Sequence, residues 1–204
     1  MNEKTRRIIM TTVGVTVCGF AVGLFTFSDF GMDPFQVLAH GLWNLTPLGF
    51  GTFYTLLNLA MLIAIFMMDR HKIGLGTLIN IFLLGYMAEF SSWIWQTLFP
   101  SPTLWLKMIF LLLGIVIICF GASLYFVGDL GVSTYDAIAL YISQHTTFKF
   151  QYCRITTDMI CVTIGFMLGA TVGIGTLITA FFMGPIIAFF NKYVSEPFRY
   201  GRAK

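Results

Sequence analysis

The chain contains few side chains able to do chemistry, and most of them gather at a few places. Asp29 and Asp33 flank one Gly-containing break, Asp129 and Asp136 flank another, Arg154 and Asp158 lie four residues apart, and Glu89 stands alone in a long apolar run. No Ser/His/Asp or Cys/His set accompanies them. The four cysteines Cys18, Cys119, Cys153 and Cys161 form no CxxC pair and read as free buried thiols. His40 and Asn44 share a helix face by spacing but have no second His or Cys to complete a metal set. Gly-x-Gly-Thr-Leu-Ile at Gly74 and Gly173 lacks the Lys of a phosphate loop and is embedded in apolar sequence, so it reads as helix entry and close packing. No catalytic residue, metal or cofactor is therefore expected, and the chain is not read as an enzyme. The chemistry left to these carboxylates and one guanidinium is charge neutralisation and solute binding.

At Asp33-Pro34 an Asp suited to capping precedes a Pro suited to the first helical turn. Ser133-Thr134 offers the equivalent cap after Gly131, and Asp136 falls in that first turn opposite Gln36. Two readings stand side by side. Either these are capped helices at a membrane surface, or two half-helices start within the membrane and aim their N–H groups at one central site. Arg154 and Asp158 lie on one helix face and are expected to neutralise each other. Their counterparts in the other half of the chain, near Thr55 and Leu59, are uncharged, which suits a pathway or coupling ion as well as a structural pair. The candidate substrate-binding residues are thus Asp33, Gln36, Ser133, Thr134, Asp136, Arg154 and Asp158. Glu89, followed by Ser91, Ser92 and Trp93, reads as a helix end at the interface.

The elements that position these residues follow from composition. Of 204 residues, 57% are hydrophobic and 10% charged, whereas a soluble domain carries about a quarter charged residues. Crossing a hydrocarbon core of roughly 30 Å takes about 20 apolar residues. Six runs are expected to do so: Ile8 to Ser28, Phe50 to Met68, Gly74 to Trp95, Leu104 to Val127, Tyr152 to Leu168 and Gly173 to Tyr193. Pro34 to Leu45 and Thr134 to Ser143 are apolar but short. Lys4, Arg6 and Arg7 precede a run too long for a signal peptide, which is read as an uncleaved first span. The net charge of +3 forms no continuous basic face, which argues against nucleic acid as a partner.

Shifted on itself by about 100 residues, the sequence matches at two separate Gly-rich motifs. Asp29-Phe30-Gly31 falls on Asp129-Leu130-Gly131, and Gly74-Leu75-Gly76-Thr77-Leu78-Ile79 falls on Gly173-Ile174-Gly175-Thr176-Leu177-Ile178. The expected fold class is an all-α polytopic membrane protein, one transmembrane domain over residues 1–204, built of two tandem repeats over approximately 8–97 and 104–193. Each repeat holds three long spans and one short broken or re-entrant helix. If the short segments do not cross, the repeats are inverted, 3+3, and the N-terminus, the Arg70 to Lys72 loop and the C-terminus share the cytoplasmic side. If they cross, the repeats are parallel, 4+4, and Arg70 to Lys72 is forced outside. The Lys and Arg distribution favours the inverted arrangement, in the inner (plasma) membrane.

Gly23-x-x-x-x-x-Asp29-x-Gly31 at the end of the first helix, Asp33-Pro34-Phe35 after the break and Ile73-Gly74-Leu75-Gly76-Thr77-Leu78-Ile79-Asn80 before the third span resemble the YczE/YyaS/YitT family of bacterial membrane proteins, more closely on the YczE side. The resemblance covers essentially the whole chain, without the soluble C-terminal domain of YitT-type proteins. It implies the architecture and supplies no substrate and no functional residues. The function expected from the residues is a transporter or permease for a small solute, with its site between the two breaks. A passive channel, or a substrate-binding or accessory subunit of a larger complex, is the alternative. The expected partners are the lipid bilayer and the solute, with a second copy of the chain or another membrane protein left open.

Overall fold

The computed structural model describes residues 2–68, 73–148 and 150–201, so the Arg70 to Lys72 loop, Arg202 and Lys204 lie outside the described residues. All regular structure among these residues is helical. The elements run α1 (Glu3–Ser28), α2 (Pro34–Trp43), α3 (Phe50–Met68), α4 (Leu75–Leu98), α5 (Leu104–Gly128), α6 (Thr134–His145), α7 (Phe150–Met167), α8 (Ile174–Phe190), a π-helical turn (Asn191–Ser195) and α9 (Glu196–Tyr200). Helices α1, α3, α4 and α5, and the continuous segment Ile174–Tyr200, are long and apolar enough to cross a membrane. These are five of the six expected spans. On the sixth segment α7 forms, and it carries both Arg154 and Asp158. Helices α2 and α6 have 10 and 12 residues, about 15 and 18 Å at 1.5 Å per residue. Neither reaches across a core of roughly 30 Å.

The centre of the molecule is the antiparallel pair α1 and α5. Their direction is fixed by ion pairs at both ends. Lys107 at the start of α5 lies 3.4 Å from Asp29 at the end of α1, and Arg7 at the start of α1 lies 3.0 Å from Asp129 at the end of α5. The two backbones come close because Gly14 and Gly121 face each other. A Cβ on Gly14 would stand 2.7 Å from the Gly121 carbonyl oxygen, and one on Gly121 2.8 Å from the Gly14 oxygen. Small residues at such a crossing let dispersion contacts replace the hydrophobic drive that lipid does not supply. Helix α4 packs along α1 and α8 along α5. Ser91 of α4 donates to the Phe20 carbonyl of α1 at 2.8 Å.

Both central helices end in the same way. Asp29 and Asp129 adopt left-handed backbone conformations with φ of 59° and 51°, and Gly31 and Gly131 follow at φ of 90° and 119°. The left-handed Asp stops the helix, and the Gly takes a conformation closed to most side chains. Each turn then docks on the start of a long helix from the other half of the chain. Gly76 N donates to the Leu130 carbonyl at 2.7 Å, and Gly175 N donates to the Phe30 carbonyl at 2.8 Å. The Gly-x-Gly sequence is needed because a Cβ on Gly74 or Gly173 would strike the Leu130 or Phe30 backbone. Glu89 does not mark a helix end, since α4 continues to Leu98. Its carboxylate instead accepts the Gly51 N–H at 2.9 Å, at the open start of α3.

Candidate solute-binding cavity

After each turn residues 31–33 and 131–133 take no regular structure, and the chain is extended at Asp33 and Ser133 before the short helices begin. Asp33 caps α2, its Oδ1 accepting the Gln36 N–H at 3.3 Å, with Pro34 in the first turn. Ser133 caps α6, its Oγ accepting the Asp136 N–H at 3.1 Å and donating to Asp136 Oδ2 at 2.7 Å. Both caps are those expected from side-chain chemistry alone.

The Gly turns do not themselves meet. Gly31 lies against Gly173 and Thr176, Gly131 against Gly74 and Thr77, and the ion pairs of Asp29 and Asp129 place the two turns at opposite ends of the α1/α5 pair. The residues after each turn lead the chain back, so that it is the first turns of α2 and α6 that converge. The rings of Phe35 and Tyr135 stack at 4.9 Å with 14° between their planes. The far end of α2 returns toward its own turn. His40 and Asn44 border a smaller recess of about 160 Å³ together with Asp29, Gly31 and Thr171.

Around the converging first turns lies a cavity of about 540 Å³. Of the seven residues singled out in the sequence, Asp33, Gln36, Ser133, Asp136, Arg154 and Asp158 line it. Thr134 stands behind the wall, 1% exposed, donating to Asn58 Oδ1 at 2.5 Å and so tying α6 to α3. Arg154 and Asp158 are paired as expected, Nε to Oδ1 at 3.3 Å. The same guanidinium also binds Asp136 Oδ1 and lies 4.5 Å above the Tyr135 ring. Tyr135 closes the network by donating its hydroxyl to Asp158 Oδ1 at 2.5 Å. The side chains of Asp136 and Asp158 are 16% and 14% exposed, so the charges are held in a largely dry setting where pairing matters.

Sequence reasoning missed Tyr54, Asn58, Asn80 and Tyr135 in this wall. The signal available for the two Asn residues was a carboxamide within an apolar span, the same cost argument applied to the charges. Tyr54 and Tyr135 carried no such signal, because a tyrosine in an apolar run reads equally well as packing. Tyr125 and Thr179 also reach it, and most of the remaining lining is apolar, including Val15, Val22, Leu84 and Ile187. A mostly apolar pocket with a few convergent polar groups is suited to holding a small molecule in one orientation.

Residues 5–192 match the model of a family of unknown function, DUF6198. The chain is 29% identical over 195 residues to an uncharacterized protein of Haemophilus influenzae, covering 96% of this chain and 88% of that protein. It is 26% identical to the uncharacterized membrane protein YczE of Bacillus subtilis, covering 89% of this chain and 80% of YczE. It is 23% identical to the uncharacterized protein YyaS of Bacillus subtilis, with 91% and 92% covered. No solved structure matches the chain.

Proposed function

We propose that this chain, which belongs to the DUF6198 family, is a permease for a small solute that binds in the central cavity. The observation that carries this reading is the convergence of two short helices, each too brief to cross the bilayer, on a cavity that holds a cluster of charged side chains inside an otherwise apolar helical protein. Non-helical backbone at membrane depth persists only where protein buries it or where it lines a cavity. The arrangement is that of two inverted units of three long helices and one re-entrant helix, 3+3. Its support is a set of contacts made twice. These are Gly76 on Leu130 and Gly175 on Phe30, Lys107 with Asp29 and Arg7 with Asp129, and Phe35 against Tyr135 across the centre. Inverted units with a midplane site are the layout through which alternating access works.

The two halves differ where such a mechanism needs them to. Helix α3 packs along α4, whereas α7 has no comparable packing along α8. Helix α7 packs instead against α2 of the other half. The N-terminus, with Arg6 and Arg7, shares an end of the molecule with Arg199, which donates to the Val127 carbonyl at 2.5 Å, and this end is the cytoplasmic one by the distribution of positive charge. The test is solute counterflow. Proteoliposomes holding the full chain are incubated in a cell extract, and the trapped solutes are compared by mass spectrometry with those of vesicles carrying Asp136→Asn. A solute concentrated by the unaltered protein and lost in the variant is the expected result. Vesicles that trap nothing beyond protein-free controls overturn the reading.

A further inference from the structure

We infer that the cavity selects a small organic cation, one with an ammonium or amidinium-type head bearing N–H donors and a compact apolar body. The inference rests on the permease reading only in taking the cavity as the solute site. Three carboxylates, Asp33, Asp136 and Asp158, line it against the single guanidinium of Arg154. That guanidinium is already committed to Asp136 and Asp158. Asp33 forms no ion pair within 4 Å among the described residues, Arg154 acts on it only at longer range, and its hydrogen bond to the Gln36 N–H at 3.3 Å is a helix cap. Negative charge left unbalanced in an apolar enclosure is costly, and a bound cation removes that cost.

A second observation is independent of the carboxylates. Gln36, one turn from Asp33, is 3% exposed and borders the cavity, yet its Oε1 has no hydrogen-bond partner among the described residues. The Tyr125 hydroxyl, 5% exposed and also bordering the cavity, is unpartnered too. Buried polar atoms are nearly always satisfied. Gln36 Oε1 and the Asp33 carboxylate are both acceptors, so the missing group is a donor with positive charge. The remaining wall agrees. The Phe35 and Tyr54 rings stand 6.0 Å apart edge to face, and aromatic faces attract desolvated cations. A neutral solute leaves Asp33 uncompensated, and an anion adds repulsion.

The experiment uses the purified full-length protein in detergent micelles, with binding measured by titration calorimetry. The probes are 2-phenylethylammonium, guanidinium and benzamidinium, with 2-phenylethanol and 3-phenylpropanoate as neutral and anionic analogues of the first. At least one cation is expected to bind at least about tenfold more tightly than either analogue, the equivalent of one charge-assisted hydrogen bond. Asp33→Asn keeps capping ability and is expected to weaken that cation by at least about tenfold with the melting temperature retained. Gln36→Leu is expected to weaken it about threefold or more and carries the test should the Asp33 variant not fold. The assignment is overturned if none of the cations binds, if an analogue binds equally well, or if both variants bind as the unaltered protein does. Failure of the permease reading looks different. A cation that binds in micelles but is not moved across proteoliposomes refutes transport and leaves the selectivity standing. A neutral or anionic solute that accumulates through Asp136 refutes the selectivity and leaves transport standing.

Discussion

Arg154 on α7 is bound by Asp136 in the first turn of α6, a contact spanning two helices that adds to the i,i+4 pair with Asp158 on its own helix. The guanidinium therefore holds two carboxylates at once, one of them belonging to the short helix α6. This changes what removing it does.

Arg154→Leu leaves both Asp136 and Asp158 without a counter-charge, and is expected to cost roughly 3 kcal/mol, the low end for breaking a buried pair. The low end applies because about a third of the Arg154 side chain is open, 34% exposed. Arg154→Leu with Asp158→Leu should not recover stability, because Asp136 remains unpaired. The triple change that also carries Asp136→Asn should. Melting temperatures in one detergent check the order, and a double variant as stable as the unaltered protein would show that Asp136 does not depend on Arg154.

Gly121→Ala is expected to destabilise by roughly 1–3 kcal/mol through overpacking, because the added carbon meets the Gly14 oxygen and the Cys18 sulfur, each at 2.8 Å. Gly121→Leu should give no monodisperse protein. Gly184→Ala is the contrast, since nothing stands within 4 Å of a Cβ there. Size-exclusion profiles of the three variants separate them, and equal behaviour of Gly121→Ala and Gly184→Ala would contradict the close α1/α5 crossing.

The ion pairs at the two ends are exposed, with Asp29 and Asp129 side chains 58% and 68% open, so each pair contributes under about 1 kcal/mol. Lys107→Met should scarcely move the melting temperature. Arg7→Met should lower it more, because Arg7 also donates to the Gly128 carbonyl at 3.0 Å and to the Asp129 carbonyl, closing the C-terminus of α5. High salt should weaken the Lys107 contribution first.

With native thiols replaced, Asn2→Cys and Gly201→Cys are expected to be protected from a membrane-impermeant reagent applied to intact cells, whereas Ser101→Cys is labelled. Ser101 lies between α4 and α5, at the end opposite the Arg7 and Asp129 pair. Labelling of Asn2 together with Ser101 would contradict an odd number of crossings between them.

The sequence by itself determined the helical membrane class, the caps at Asp33 and Ser133, the Gly-x-Gly helix starts and the Arg154 to Asp158 pair. Each of these depends on local spacing, hydropathy or backbone conformation, and such terms act within a few residues. Hydropathy also placed α3, α4 and α5 closely, because burying backbone in lipid demands continuous apolar helix. Only the tertiary structure decided that Asp136 shares the guanidinium, that Thr134 is turned from the cavity to Asn58, and that the Gly turns stand at opposite ends while the helices after them converge. Those outcomes depend on the antiparallel crossing of α1 and α5, where contacts join residues about 100 positions apart, such as the Cys18 thiol donating to the Ile118 carbonyl at 3.8 Å. No local pattern encodes which side chains such a crossing brings together, because steric fit between two whole helices selects them.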